Sequence, residues 1–187
     1  MTEAQRLRLF IAADVPKPHL ERIGELTDEL RAALAKARWT PIENQHVTLK
    51  FLGATSPEDL PRVRDVCAAV ARGHVHSDVW LAGMGAFPNL RRARVLWAGI
   101  DDPFRVLTEL ASDLDHRFGE LGFVAEERPY TPHVTVARLR TPARIDHLPE
   151  LRAEELPPLP IDHLSLYRSR LSPRGAVYEL IDSFALA

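Results

Sequence analysis

Polar and apolar residues alternate along Asn44-Gln45-His46-Val47-Thr48-Leu49-Lys50-Phe51-Leu52-Gly53. They alternate again along Thr131-Pro132-His133-Val134-Thr135-Val136-Ala137-Arg138-Leu139-Arg140. Period-two alternation with β-branched residues predicts a half-buried strand in each place. Side chains at i and i+2 share a face of a strand, so His46 goes with Thr48, and His133 with Thr135. Val47, Leu49, Val134 and Val136 then face a core. Elsewhere the pattern predicts a buried strand over residues 8–14. An amphipathic helix follows over 17–37, with Leu20, Ile23, Leu26, Leu30 and Leu34 on one side and prolines in its first turn. Ser56 is the expected cap of a helix running to about Arg72, and residues 77–87 read as a strand. A strand over 95–101 leads to a helix opened by Pro103, with Leu107, Leu110, Leu114, Phe118 and Leu121 along one side. Residues 141–160 read as a connection with at most a short helix. Strands at 161–169 and 176–184 close the chain, joined by a turn at Leu171-Ser172-Pro173-Arg174-Gly175.

The two histidine strands belong to an internal repeat. His46 and His133 are 87 residues apart, and the same shift superposes Asp14 on Asp101, Pro16 on Pro103, Leu20 on Leu107 and Phe10 on Trp97. The repeat covers about 8–53 and 95–140. The expected architecture is α+β. A single bilobal domain over 1–187 has two pseudo-symmetric lobes, each an antiparallel sheet with helices on its outer face, and an active-site cleft between them.

Length and composition narrow the setting. At 187 residues the chain suits one domain, and its formal net charge of −2 argues against coating long nucleic acid through bulk charge. The single cysteine, Cys67, reads as core. The polar start, Met1 to Arg8, lacks the apolar run of a signal peptide, and no stretch is apolar enough to span a membrane. A cytoplasmic monomer is expected.

Two histidines across a cleft suit general acid–base catalysis, because imidazole titrates near neutrality and one ring can start neutral while the other is protonated. In-line displacement at phosphorus needs a base for the attacking oxygen and an acid for the leaving oxygen, on opposite sides. The hydroxyls of Thr48 and Thr135 share the histidine faces and can donate to non-bridging oxygens. This logic requires no metal and no cofactor. One His-Val-Thr alone reads more readily as structure; two at matched places in a repeat favour catalysis.

On these residues the chain resembles the two-histidine phosphoesterase superfamily, and within it the RNA 2′,3′-cyclic phosphodiesterase family, also called 2′–5′ RNA ligase. The resemblance rests on Arg8-Leu9-Phe10-Ile11-Ala12, on both histidine motifs, on Val95-Leu96-Trp97-Ala98-Gly99 and on the closing Leu171–Tyr178 segment. It implies hydrolysis of a terminal ribose 2′,3′-cyclic phosphate to a 2′-phosphate, with the reverse 2′–5′ joining as a second activity. It also implies His46 as proton donor to the departing 3′-oxygen, His133 as proton acceptor from water, and Thr48 and Thr135 as phosphoryl ligands. The partners implied are RNA ends carrying the cyclic phosphate, or small cyclic nucleotides.

Four further residues are candidate substrate contacts. Arg138 is a candidate phosphate ligand, although simple alternation puts it on the face opposite His133 unless a bulge intervenes. Lys50 shares the His46 face by alternation and would steer an anion. Tyr130 and Phe51 are candidate stacking partners for a base, with lobe packing the alternative for Phe51. Asp14 and Asp101 read as helix caps. Arg91-Arg92-Ala93-Arg94 reads as a solvated loop. His19, His74, His76, His116, His147 and His163 read as surface or locally bonded residues, since a His74–His76 metal pair lacks supporting ligands. Two other readings stay open: a non-catalytic RNA-end binding module, and an esterase for a small cyclic or 2′–5′ nucleotide.

Overall fold

A computed structural model describes residues 6–152, 156–172 and 175–187. Within them the strands are β1 (Leu7–Ala13), β2 (Arg38–Trp39), β3 (Val47–Thr55), β4 (Ser77–Phe87), β5 (Ala93–Asp101), β6 (His133–Ala143), β7 (Leu159–Ile161), β8 (His163–Ser172) and β9 (Gly175–Ala185). The helices are α1 (Lys17–Ala33), α2 (Leu60–Gly73) and α3 (Val106–Glu120). All pairings are antiparallel, in one curled sheet of order β7-β4-β5-β6-β3-β1-β8-β9, with β2 attached to β6. Read outward from the middle, β3-β1-β8-β9 mirrors β6-β5-β4-β7. The two halves meet at one residue pair, Val47 opposite Val134. Those residues are 87 apart in the chain, so the same shift that aligns the sequence motifs also relates the two central strands.

Helices α2 and α3 pack against each other, α3 lies on β3, and α2 lies on β8 and β9. The row Leu107, Leu110, Leu114 and Phe118 on α3 is fully buried, as are Val63, Cys67 and Val70 on α2. Each such large side chain contributes roughly 1.5–3 kcal/mol relative to exposure.

Several boundaries differ from the periodic reading for identifiable reasons. Helix α1 stops at Ala33, although Ala35-Lys36-Ala37 favours helix, because Arg38 and Trp39 are drawn out to pair with Arg138 and Ala137. Trp39 packs on the core, with the Arg31 guanidinium 4.6 Å over its ring. Helix α3 starts at Val106 rather than at Pro103. The carboxylate of Asp102, not Asp101, accepts the Thr108 N–H and hydroxyl, each at 3.0 Å. The connection 141–160 contains no helix among its described residues. Its first residues extend β6 and its last form β7 on the edge of β4. The expected turn at Leu171–Gly175 has Pro173 and Arg174 outside the described residues, and its flanking strands meet at Ser172 opposite Gly175. Gly99 has a steric reason: a Cβ there would lie 2.6 Å from the backbone carbonyl oxygen of Ala82, in the register shift of β4 between Leu81 and Met84.

Candidate active site

The histidines sit where the two halves of the sheet meet, His46 immediately before β3 and His133 at the first residue of β6. Val47 and Val134 are wholly buried, which turns the flanking His46, Thr48, His133 and Thr135 to the other face. His46 Nε2 and Thr48 Oγ1 lie 3.0 Å apart. His133 Nδ1–H donates to the Thr131 carbonyl at 2.7 Å. A carbonyl only accepts, so neutral His133 carries its proton on Nδ1 and keeps the Nε2 lone pair for an incoming proton.

Alternation then breaks in both strands at equivalent places. Ala12 pairs with Thr48 and Ile11 with Lys50, skipping Leu49; Trp97 pairs with Thr135 and Leu96 with Ala137, skipping Val136. Each skip is a β-bulge, which re-aims every residue beyond it. Leu49 and Lys50 are therefore both buried, as are Val136 and Ala137, and the next residues, Phe51 and Arg138, emerge on the histidine face.

The bulge overturns one expectation. Lys50 is not on the site face: it is 5% exposed, paired with Asp115 of α3, and donates to the Val124 carbonyl at 2.6 Å. Its partner's carboxyl is raised by burial, but the hydrogen bonds from Lys50 and the Glu126 N–H outweigh that and hold it below the usual range. Phe51 takes the place expected of Lys50, 62% exposed, with its ring 6.1 Å from that of Phe10. Arg138 shares the face of His133 and is near enough for its charge to act on that ring. Tyr130 is not an open stacking surface. Its ring packs on the core and its hydroxyl donates to the Thr48 carbonyl at 3.1 Å. Burial, with the charge of Asp102, pushes its pKa up.

Aromatic rings support both histidines. His46 stacks on Phe10 at 4.8 Å, Phe10 stacks on Tyr167 at 5.3 Å, and Tyr178 meets His46 edge-on at 5.3 Å. His133 meets Phe87 edge-on at 5.1 Å and lies 6.2 Å from Trp97. Phe10 and Trp97 are the residues superposed by the 87-residue shift, which marked them as a pair without revealing that each lies beside a histidine. A cavity of about 230 Å³ opens beside His46, lined in part by Asp14, Ile42, Gln45, Tyr167 and Tyr178.

Asp14 is not a helix cap, since the residue before α1 is Pro16 and no side chain caps that helix. It accepts hydrogen bonds from His163 Nε2–H at 2.9 Å, Ser165 Oγ at 2.7 Å and the Tyr167 hydroxyl at 2.7 Å. Burial raises the Asp14 carboxyl, and those bonds, with the His163 charge, more than reverse it. His163 donates to Asp162 through its other nitrogen; burial opposes its proton, but the two carboxylates hold it on. His19 is another departure from the surface reading: it is 2% exposed, with Nε2 bonded to the Pro157 carbonyl at 2.9 Å. Sequence reading took Asp14 for a cap, and it missed Tyr167 and Tyr178 beside His46 because β8 and β9 carry no repeat motif.

Burial pushes the pKa of His46 down to about 4. The Asn44 backbone and the Asp14 charge pull the other way, and the charge of His133 adds to the depression. His133 is also lowered, by burial first, against the Thr131 carbonyl and with the Arg138 charge. In the unfolded chain His46 takes its proton near pH 6.5, so the stability that neutral His46 contributes is full above that pH and is lost as pH falls toward about 4. Solvent at the open edge of the ring makes about 3 kcal/mol the upper limit of that loss. His163 has the opposite sign: its raised pKa contributes stability that is full below the unfolded value and is lost as pH rises through the folded one. Urea midpoints of the parent protein and His46→Asn are expected to converge between pH 7 and pH 4; parallel curves would contradict the buried neutral ring.

The model of the 2′-5′ RNA ligase superfamily matches residues 15–172. The chain belongs to that superfamily. It is 34% identical over 185 residues to the RNA 2′,3′-cyclic phosphodiesterase of Methanothermobacter thermautotrophicus, covering 97% of this chain and all of that one. Among solved structures, TT0787 of Thermus thermophilus superposes with a TM-score of 0.81 at 28% identity, covering 96% of this chain and 97% of that one. Escherichia coli LigT complexed with NADP+ superposes with a TM-score of 0.79 at 27% identity, covering 98% of this chain and 99% of LigT. With this membership the chain is a phosphoesterase. Among the described residues, no helix is long and apolar enough to cross a membrane.

Proposed function

We propose that the protein is an RNA 2′,3′-cyclic phosphodiesterase that opens the terminal cyclic phosphate to a 2′-phosphate by metal-independent acid–base catalysis. The whole chain acts as one bilobal, monomeric, cytoplasmic unit, its halves related by the repeat over 8–53 and 95–140. The supporting observation is the state of His133. Its Nδ1–H is engaged by the Thr131 carbonyl, so Nε2 is an acceptor, and its lowered pKa keeps it neutral near pH 7. In this reading Nε2 of His133 takes a proton from water as the water oxygen bonds to phosphorus. The bond from phosphorus to the 3′-oxygen breaks, and His46 gives that oxygen its proton. Thr48 and Thr135 donate to the non-bridging oxygens, Arg138 offsets the phosphate charge, and Phe51 offers a ring to a base.

Buried His46 is neutral in the free protein. A bound phosphate anion beside it favours the imidazolium, so substrate binding itself loads the acid. Microscopic reversibility lets the same groups join a 5′-hydroxyl end to the cyclic phosphate as a 2′–5′ linkage.

The test is product analysis on a short RNA ending in a 2′,3′-cyclic phosphate, with chelator present. Accumulation of the 2′-phosphate alone is the expected result. Activity lost to chelator and restored by zinc would replace this mechanism with a metal-dependent one. Bound RNA without turnover would make the protein an RNA-end binding module, and neither binding nor turnover would point to small cyclic or 2′–5′ nucleotides.

A further inference from the structure

We infer that Arg38, beside Arg138, forms a second phosphate subsite that holds the internal phosphodiester preceding the cyclic end. The substrate is then an RNA strand rather than a mononucleotide. This rests on the phosphodiesterase reading above.

Arg38 on β2 is directly opposite Arg138 on β6. Directly opposed residues of an antiparallel pair point to the same face, and like charges in that position destabilise the sheet. Both arginines are exposed, and neither forms an ion pair with a carboxylate among the described residues. The neighbouring pair, Trp39 and Ala137, faces the core, so the arginines face the side that carries His133 and Thr135. A sheet that keeps two uncompensated guanidinium groups opposite each other, beside an anion site, has a use for both.

The position of the Arg38 head strengthens the case. Its Nη2 lies 2.8 Å from the point that a Cβ on Gly175 would occupy, so the side chain reaches from the β6 half to the β8–β9 hairpin. That hairpin is tied to the His46 segment: Asn44 Nδ2–H donates to the Ala176 carbonyl at 2.8 Å, and Tyr178 packs edge-on against His46. Arg38 therefore bridges the two halves at the rim where the hairpin meets the site. With the cyclic phosphate between the histidines, Arg138 lies beyond Thr135 along β6, and Arg38 lies beyond Arg138 across the strand pair. This is an order of cations that follows successive phosphates outward along one strand.

The experiment is a cycle on kcat/KM for a dinucleotide ending in a 2′,3′-cyclic phosphate, with the internal phosphodiester either normal or replaced by an uncharged methylphosphonate. The parent protein is compared with Arg38→Ala. A charge-assisted contact predicts that either change alone lowers kcat/KM by about tenfold or more, through KM, and that the two together lower it no further. Arg72→Ala removes the same formal charge from α2, on the helix side, and should leave the effect of the methylphosphonate intact. Losing one phosphate contact should also make the salt dependence shallower by about 0.7 in slope. Independent, additive losses, or no loss in Arg38→Ala, would overturn the assignment. In those cases turnover of a cyclic mononucleotide by the parent protein shows that the phosphodiesterase reading survives, whereas its failure on every cyclic phosphate overturns both.

Discussion

Alanine at His46 or at His133 is expected to lower turnover of a cyclic phosphate by about 10²–10⁴ while the protein stays folded and still binds RNA ends. In the proposed mechanism each histidine carries one proton transfer, and the two transfers belong to one displacement. The double variant should therefore be little slower than the worse single one. Neither ring holds the sheet together, since Val47 and Val134 make the pairing between the halves through their backbones. The pH dependence of kcat/KM supplies the finer check. The proposed roles need His133 neutral and His46 protonated, so the expected profile is bell-shaped, with apparent values that belong to the coupled pair. The His46 ring, lowered to about 4 in the free protein, predicts that kcat/KM falls on the alkaline side well before kcat does, because bound phosphate restores its proton. Circular dichroism on the same samples separates lost chemistry from lost fold, and a folded His133→Ala with parental turnover would remove the base assignment.

Alanine at Asp115 is expected to be the more damaging half of the Lys50–Asp115 pair. Lys50 is 5% exposed and Asp115 27% exposed. Removing the carboxylate strands a buried ammonium with, among the described residues, only the Val124 carbonyl as acceptor, a situation that costs about 3–5 kcal/mol. Removing the ammonium instead, as in Lys50→Met, leaves an aspartate that water can reach and that still accepts the Glu126 N–H at 3.0 Å. For a chain of this size, 3 kcal/mol corresponds to roughly 6–12 °C in Tm. The order of Tm should therefore be parent, then Lys50→Met, then Asp115→Ala, with the double variant recovering part of the loss. kcat/KM of the folded Lys50→Met protein on an RNA end should match the parent, because the ammonium lies in the helix layer. A rise in KM for that variant would restore Lys50 to the substrate.

The contrast between Lys50 and Phe51 shows where sequence reading reaches its end. Strict alternation placed Lys50 with His46 and left Arg138 opposite His133. Both assignments reverse because Leu49 and Val136 are skipped in their ladders. A bulge is a property of two strands, not one: it appears only when β3 is laid against β1 and β6 against β5. Asp14 shows the same limit. It reads as a cap from its place before Pro16, yet its hydrogen bonds come from residues about 150 positions away on β8.

By itself the sequence determined the α+β character, the buried rows of α2 and α3, the strand over 77–87, and the presentation of His46 with Thr48 and of His133 with Thr135. These follow from local periodicity, which depends only on the geometry of one element. The 87-residue repeat also lay in the sequence, and with it the expectation of paired motifs. Tertiary structure alone decided that α1 yields Arg38 and Trp39 to β6, and that Arg38 comes to lie opposite Arg138. It also decided which residues beyond each bulge face the site, and that Lys50 answers Asp115. All of these depend on which strand lies beside which, a relation between distant segments that local periodicity does not carry; residues of both halves of the sheet meet in one buried core.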